Sequence, residues 1–250
     1  MLAPIPDIYR PDCAPRAPRM CAAPDGRPHA SAPARPPGKP LVMRAPLCQH
    51  PFMRVREMTE ADIDAVAELR VRAWQSAYAD LLPRTFLDAM SVAEDAARRR
   101  EMFAARSPDD VVVNLVTEDG DGTVTGWAAL GPDRPGGAHT NAGPRTADVA
   151  ELYAIYVRPG LLGTGIGRAL TTACLERAAQ LGFTRVVLWT IEGNARARRF
   201  YELAGFTTDG TQDTFDVDGN GTLIPLVHYA RPLAPRQPPP APPLTDSGSV

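Results

Sequence analysis

The chain has 250 residues, 44% hydrophobic and 22% charged, with a formal net charge of −2. That length accommodates one domain with a sizeable core. No segment has the continuous apolar length of a membrane span and the N-terminus lacks the apolar core of a signal peptide, which excludes both readings and leaves a cytoplasmic protein as the expectation. Proline is unevenly spread: thirteen of the 27 fall in residues 1–52 and seven in 231–250. Neither end has periodic apolar runs that could repay the entropy of ordering, so both are expected to be disordered, with the folded domain at 53–230. The leader is of the kind produced when translation is assigned from too far upstream; Met43 and Met53 both suit a start, and Met53 is the expected one because the first strand begins there. Charge divides the same way. Residues 1–52 carry seven basic and three acidic side chains, a net of +4, and residues 53–230 carry 18 and 25, a net of −7. The basic arm is proline-spaced without aromatic interleaving, so it reads as an inert tail rather than a nucleic-acid contact, while the acidic domain suits a cationic partner such as an amine. Cys13, Cys21 and Cys48 lie in the arm and Cys174 in the domain, a spacing that suits neither a zinc site nor a disulfide framework.

Along the domain, residues 52–57 alternate as a short strand. Thr59 is a good N-cap for a helix reaching about residue 80, with Ile63, Val66, Leu69, Val71 and Trp74 apolar at helical spacing. Pro83 interrupts, and a second helix is expected over 91–105. Residues 111–118 and 123–130 read as strands joined by Asp119-Gly-Asp-Gly122, a strong hairpin signal. A glycine- and proline-rich loop over 131–146 leads to the strand Val149–Val157. A helix over 165–180 ends at Gly182, a strand follows at 185–190, and a helix over 194–203 ends at Gly205. A last hairpin, 207–215 with 226–230, closes a mixed α/β (α+β) sheet with helices on both faces and parallel strands either side of the 165–180 helix.

The junction after Val157 is the most informative segment. Gly160, Gly163, Gly165 and Gly167 punctuate a turn that opens directly into a helix, and backbone N–H groups with a helix N-terminus there make a phosphate site. A Walker A loop is excluded, because Ile166-Gly167 stand where Lys and Ser/Thr belong. A dinucleotide fingerprint is excluded too, since its last glycine would fall on Arg168 or Leu170.

The run Gly163-Thr-Gly165-Ile-Gly167-Arg-Ala-Leu170 resembles the acyl-coenzyme A loop of the GNAT N-acetyltransferase superfamily, Gln/Arg-x-x-Gly-x-Gly/Ala, with Leu162 departing from the polar first position. Asn194-Ala-Arg-Ala197-Arg-Arg-Phe200-Tyr201-Glu-Leu-Ala-Gly205-Phe206 is similar to the superfamily's second signature, Asn-x-x-Ala-x-x-Phe-Tyr-x-x-x-Gly-Phe. The resemblance implies a mostly antiparallel sheet with one splayed parallel pair, and transfer of an acetyl group from acetyl-CoA to a primary amine.

The roles it implies are as follows. Glu151, at the start of the fourth strand, is the candidate general base; its alternative is an ordinary carboxylate paired with an arginine. Tyr201 is the candidate general acid for the departing thiolate, since a phenol stays protonated at neutral pH; its alternative is packing. Ile155, Tyr156 and Val157 would face the pantetheine chain beside a bulge or splay. Leu162, Gly163, Thr164, Gly165, Ile166, Gly167 and Arg168 would form the pyrophosphate cradle, and Asn194 would cap its helix and reach the pantetheine amides. Trp74 and Tyr78 share a helix face as an acceptor wall or as core. The expected acceptor is a small-molecule amine, with neither nucleic acid nor membrane as partner, no metal, and a homodimer left open. A protein N-terminus or lysine as acceptor, a non-catalytic acyl-CoA sensor, and proline-rich tails as an interaction module are the competing readings.

Overall fold

Arg54–Glu57 (β1) pairs antiparallel with Val113–Glu118 (β2) at one edge of a sheet that grows by local hairpins. The computed structural model describes residues 53–107, 110–134 and 148–234. The expectations for residues 1–52, for 235–250 and for most of the 131–146 loop lie outside these. At the first hairpin, Asp119 Oδ1 accepts the N–H of Thr123 at 3.0 Å and Gly122 takes φ +84°, which returns the chain as Val124–Pro132 (β3). Val149–Val157 (β4) runs antiparallel to β3, and Arg185–Ile191 (β5) parallel to β4. Thr207–Asp216 (β6) and Leu223–Pro232 (β7) form the last hairpin, with β7 against β5. The order is β1-β2-β3-β4-β5-β7-β6, with the expected single parallel contact. β7 continues two residues past the expected domain end at 230 because Arg185 still offers Pro232 a partner.

One face is covered by Ile63–Ala77 (α1), Arg84–Asp88 (α2) and Val92–Ala104 (α3). Asp62 closes the capping box by accepting the N–H of Thr59 at 2.7 Å; its carboxylate also holds Arg56, which keeps it at about 2, well below the usual carboxylate range. α1 stops at Ala77, three residues short of the expected end, because Leu81 and Leu82 turn back onto the carbonyl of Tyr78 ahead of Pro83. The short α2 is an addition that periodicity did not show. Ser91 caps α3 by accepting the N–H of Glu94. A buried ion pair joins the helices: Arg70 Nη1 to Asp95 Oδ1 at 2.6 Å, with Arg99 Nε on Oδ2 at 2.7 Å. Both carboxylate oxygens are therefore paired, and the two guanidiniums lie over the rings of Trp74 and Trp127.

The opposite face is covered by Ile166–Gln180 (α4) and Ala195–Leu203 (α5). Ile166, Leu170, Cys174 and Ala178 face Ala128, Leu130, Val186 and Leu188 in one apolar cluster. Burial pushes the Cys174 thiol up to about 12, as suits a packing residue. α4 seats on β3 at Gly126, where a Cβ would come within 2.8 Å of Ile166 Cγ2 and 2.9 Å of Leu170 Cδ1. Gly126→Ala should therefore lift the N-terminal half of α4 and cost about 1–3 kcal/mol. Urea denaturation checks the stability, and a midpoint equal to wild type would show that the helix yields without cost.

Candidate functional site

An opening between β4 and β5 organises the site. The two strands pair only over Val149–Glu151 with Arg185–Val187; beyond that β4 pairs only with β3 and β5 only with β7. The cause lies in the β3–β4 register, where Ala129 opposes Ala154 but Leu130 opposes Leu152. Tyr153 is the extra residue of a bulge, and a bulge bends its strand and sharpens its twist. The edge of β4 from Leu152 to Val157, including the expected Ile155, Tyr156 and Val157, thus faces a gap rather than a neighbouring strand.

The glycine turn stands at the mouth of this gap. After Val157 a 3-10 turn, Pro159–Leu161, leads into Leu162. Gly163 and Gly165 take φ +87° and +100°, the left-handed region, and no atom lies closer than 4.0 Å to where either Cβ would stand. Backbone can approach a ligand there without side chains intervening. α4 starts at Ile166 with no side chain capping it, and its first internal bond is Ala169 N to Gly165 O. The N–H groups of Ile166, Gly167 and Arg168 consequently point out of the helix end with no helical acceptor. Thr164 turns its hydroxyl back onto the Leu161 carbonyl at 2.7 Å, and the Arg168 guanidinium folds over Gly165. Gly167 has a packing reason as well: a Cβ would stand 3.3 Å from the Phe200 ring, so its absence brings α5 close to the turn. This cradle fits a diphosphate, and the open β4 edge fits an extended amide-bearing chain. Asn194 caps α5, its Oδ1 accepting the N–H of Ala197 at 3.0 Å.

Three tyrosines meet at the gap. Tyr201 of α5 is 9% exposed and packs edge-on against Phe200 and Phe206, with ring centroids 5.3 and 6.0 Å away. Tyr156 of β4 and Tyr78 after α1 come from the opposite face of the sheet. Burial, and then the field of Tyr156, hold the Tyr201 phenol above its usual value; Tyr78 is raised by burial and then by Tyr156 and Tyr201. Tyr156 is also raised by burial. These hydroxyls sense one another from both sides of the strand opening, and all three remain proton donors at neutral pH. Trp74 meets Tyr78 edge-on at 5.1 Å but is only 3% exposed, so it serves as core while bordering the opening.

Glu151 sits at the closed end of the gap, opposite Val187, and is 5% exposed. Arg134 grips both of its oxygens: Nη2 is on Oε1, Nε on Oε2 at 3.0 Å, and the Arg134 N–H on Oε2 at 3.4 Å. The pairing alternative raised for this carboxylate is therefore present in the structure. Arg134 in turn stacks 4.1 Å from the Tyr153 ring, which ties the pair to the bulge. Asp133 beside it is raised, by burial and then by Glu151. Neither Arg134 nor Asp133 figured in the sequence reading, and a loop arginine 17 residues upstream carries no sequence signal for such a pairing.

Residues 63–206 match the model of the Acetyltransferase (GNAT) family. Among proteins of similar sequence, the uncharacterized N-acetyltransferase YuaI of Bacillus subtilis is 31% identical over 143 residues, covering 57% of this chain and 74% of that protein. The mycothiol acetyltransferase of Beutenbergia cavernae is 32% identical over 168 residues, 66% of this chain and 48% of that one, so the chain spans about half of its length. The ribosomal-protein-alanine N-acetyltransferase of Brucella melitensis superposes with a TM-score of 0.55 at 25% identity, covering 72% of this chain and 99% of that one. PaiA N-acetyltransferase of Thermoplasma acidophilum, solved with coenzyme A, shares the fold with a TM-score of 0.54 at 18% identity, covering 72% and 98%.

The Glu151–Arg134 pair yields a test that needs no ligand. Arg134→Leu leaves a buried carboxylate without its cation and should destabilise by about 3 kcal/mol, whereas Arg134→Leu combined with Glu151→Leu should recover most of that loss. Chemical denaturation of the four proteins closes the cycle, and additive losses would show that the two side chains are not coupled.

Proposed function

We propose, on the premise that this chain belongs to the Acetyltransferase (GNAT) family, that it acetylates the primary amine of a small molecule by direct attack on acetyl-CoA. The chain is an acetyl-CoA-dependent N-acyltransferase; when bound, acetyl-CoA supplies the activated acetyl group as a thioester. One observation carries the reading of the site: the gap between β4 and β5 has the glycine turn and the uncapped start of α4 at its mouth and three buried tyrosines around its interior. In this reading the N–H groups of Gly163, Gly165, Ile166, Gly167 and Arg168 hold the pyrophosphate. The edge of β4 at Ile155–Val157 takes the pantetheine amides as a strand would, and a β4 N–H faces the thioester oxygen. Asn194 reaches the same chain from the end of α5.

Tyr201 is the residue proposed to protonate the departing thiolate, because its raised phenol keeps its proton throughout the working range. Glu151 is proposed to accept the proton of the incoming ammonium through water, with Arg134 orienting it. Trp74 and Tyr78 border the acceptor side. The mycothiol acetyltransferase relative supports a small-molecule acceptor, while the ribosomal-protein-alanine N-acetyltransferase neighbour makes a protein N-terminus the second reading. A cytoplasmic location belongs to the same proposal; among the described residues no helix is long and apolar enough to cross a membrane.

The deciding experiment follows thiol release from acetyl-CoA with the small-molecule and the protein fractions of a cell extract separately. Release with the former supports the reading, release confined to the latter supports the protein acceptor, and none with either leaves an acyl-CoA sensor. Tyr201→Phe should lower kcat by about 100-fold with little change in KM for acetyl-CoA. Because the Tyr201 proton is held above its usual value, the wild-type kcat should show no alkaline decline as pH rises to the ordinary phenol range near 10. Glu151→Gln should lower kcat and remove the acidic limb of the pH–rate profile; an unchanged profile would assign the proton acceptor elsewhere.

A further inference from the structure

On β6, Asp213 is 7% exposed. Its Oδ1 accepts the N–H of Thr214 at 2.7 Å, but its Oδ2 is buried with no hydrogen-bond partner among the described residues. Phe215 and Val217, two and four residues on, lie in the apolar cluster beneath α1 and α2, and strand alternation puts Asp213 on that face. Register fixes its position further. Asp213 opposes Leu226 of β7, and Leu226 opposes Ile191 of β5, both members of that cluster. The row Ile191–Leu226–Asp213 therefore runs outward from the end of β5 where it has parted from β4.

A buried carboxylate oxygen with nothing to accept is costly. Tyr78 and Tyr156 pack against the same cluster that this row of residues borders, on the acceptor side of the strand opening. The group that satisfies a buried carboxylate oxygen best is a cationic N–H donor, through a charge-assisted hydrogen bond. The domain's net charge of −7 over residues 53–230 favours the approach of such a ligand. Asp213 stands two strands beyond β5, roughly 10 Å by ordinary strand spacing, so this donor is distinct from the amine at the thioester.

Resting on the small-amine reading above, we infer that the acceptor carries two cationic nitrogens, one acetylated in the gap between β4 and β5 and the other held on Asp213. The acceptor class is thus a diamine or a larger amine with a second ammonium at comparable distance. The reaction on the first nitrogen is unchanged: an N–C bond forms, the thioester C–S bond breaks, and the ammonium gives up two protons, one released to solvent by way of Glu151 and one balanced by the proton that Tyr201 delivers to the thiolate.

The test uses the full chain with acetyl-CoA and two substrate series, 1-aminoalkanes and 1,ω-diaminoalkanes of graded and equal carbon number. For at least one length, kcat/KM for the diamine should exceed that of its monoamine by about 10- to 100-fold, the scale of one hydrogen bond to a charged group. Asp213→Asn should bring that ratio toward one, and Asp213→Glu, with its longer reach, should move the optimum to shorter diamines. Equal rates for both series in the wild type would assign the oxygen to a structural water, overturning the inference while leaving a small-amine acetyltransferase. A preference that survives in Asp213→Asn would also overturn it. Binding of acetyl-CoA without turnover of either series would count against the small-amine reading itself, and the inference would fall with it.

Discussion

One extra residue in one strand governs most of what this molecule can do. Without the bulge at Tyr153, β4 would run flush against β5 as two paired parallel strands, and their backbone groups would bond to one another along the whole length. With it, the strands stay joined over three residue pairs and then part. The separation leaves a row of β4 backbone groups without a strand partner in the middle of the sheet. A fold retains such an edge where a ligand completes it. The parting also aims β4 at the glycine turn, so that the exposed edge and the free N–H groups of α4 form one continuous surface.

The two faces of the sheet then divide the labour. α4 and α5 pack on one side and bring the glycine turn, the Asn194 cap and Tyr201 to the opening. α1 and α2 pack on the other and bring Trp74 and Tyr78. The faces meet at the gap, where burial raises the phenols of Tyr78, Tyr156 and Tyr201 and the Tyr156 phenol adds to the rise at the other two. Near the joined end of the strands the electrostatics are of a different kind. There the buried Glu151 side chain is matched by a two-pronged contact from Arg134. A carboxylate held this way is oriented rather than free, so in the proposed role of general base it would take its proton by way of water.

The sequence made the glycine turn and the α5 signature readable because their chemistry is local. A left-handed residue, an N-cap and a helix start lie within a few positions of one another, and each restricts residue type directly. Most strands were readable for the same reason, including the hairpin at 119–122. What could not be read depends on two segments at once. A bulge is a mismatch of register between β3 and β4, and neither strand alone shows it. Arg134 and Glu151 meet only because β3 and β4 are neighbours, and the orphaned oxygen of Asp213 is defined by what the fold fails to bring near it. The short α2 carries no sequence signal because five residues are too few for a helical period. The helix-face position of Trp74 suits core and acceptor wall alike, and the structure makes it core that borders the opening.

The most direct measurement is amide hydrogen exchange of the full chain with and without coenzyme A. If the opening between β4 and β5 is the cosubstrate site, coenzyme A should slow exchange in two segments together, Gly163–Arg168 at the turn and Leu152–Val157 along β4, and leave β1 and β2 unchanged. Protection confined to other surfaces, or tight binding with no protection along β4, would contradict the account.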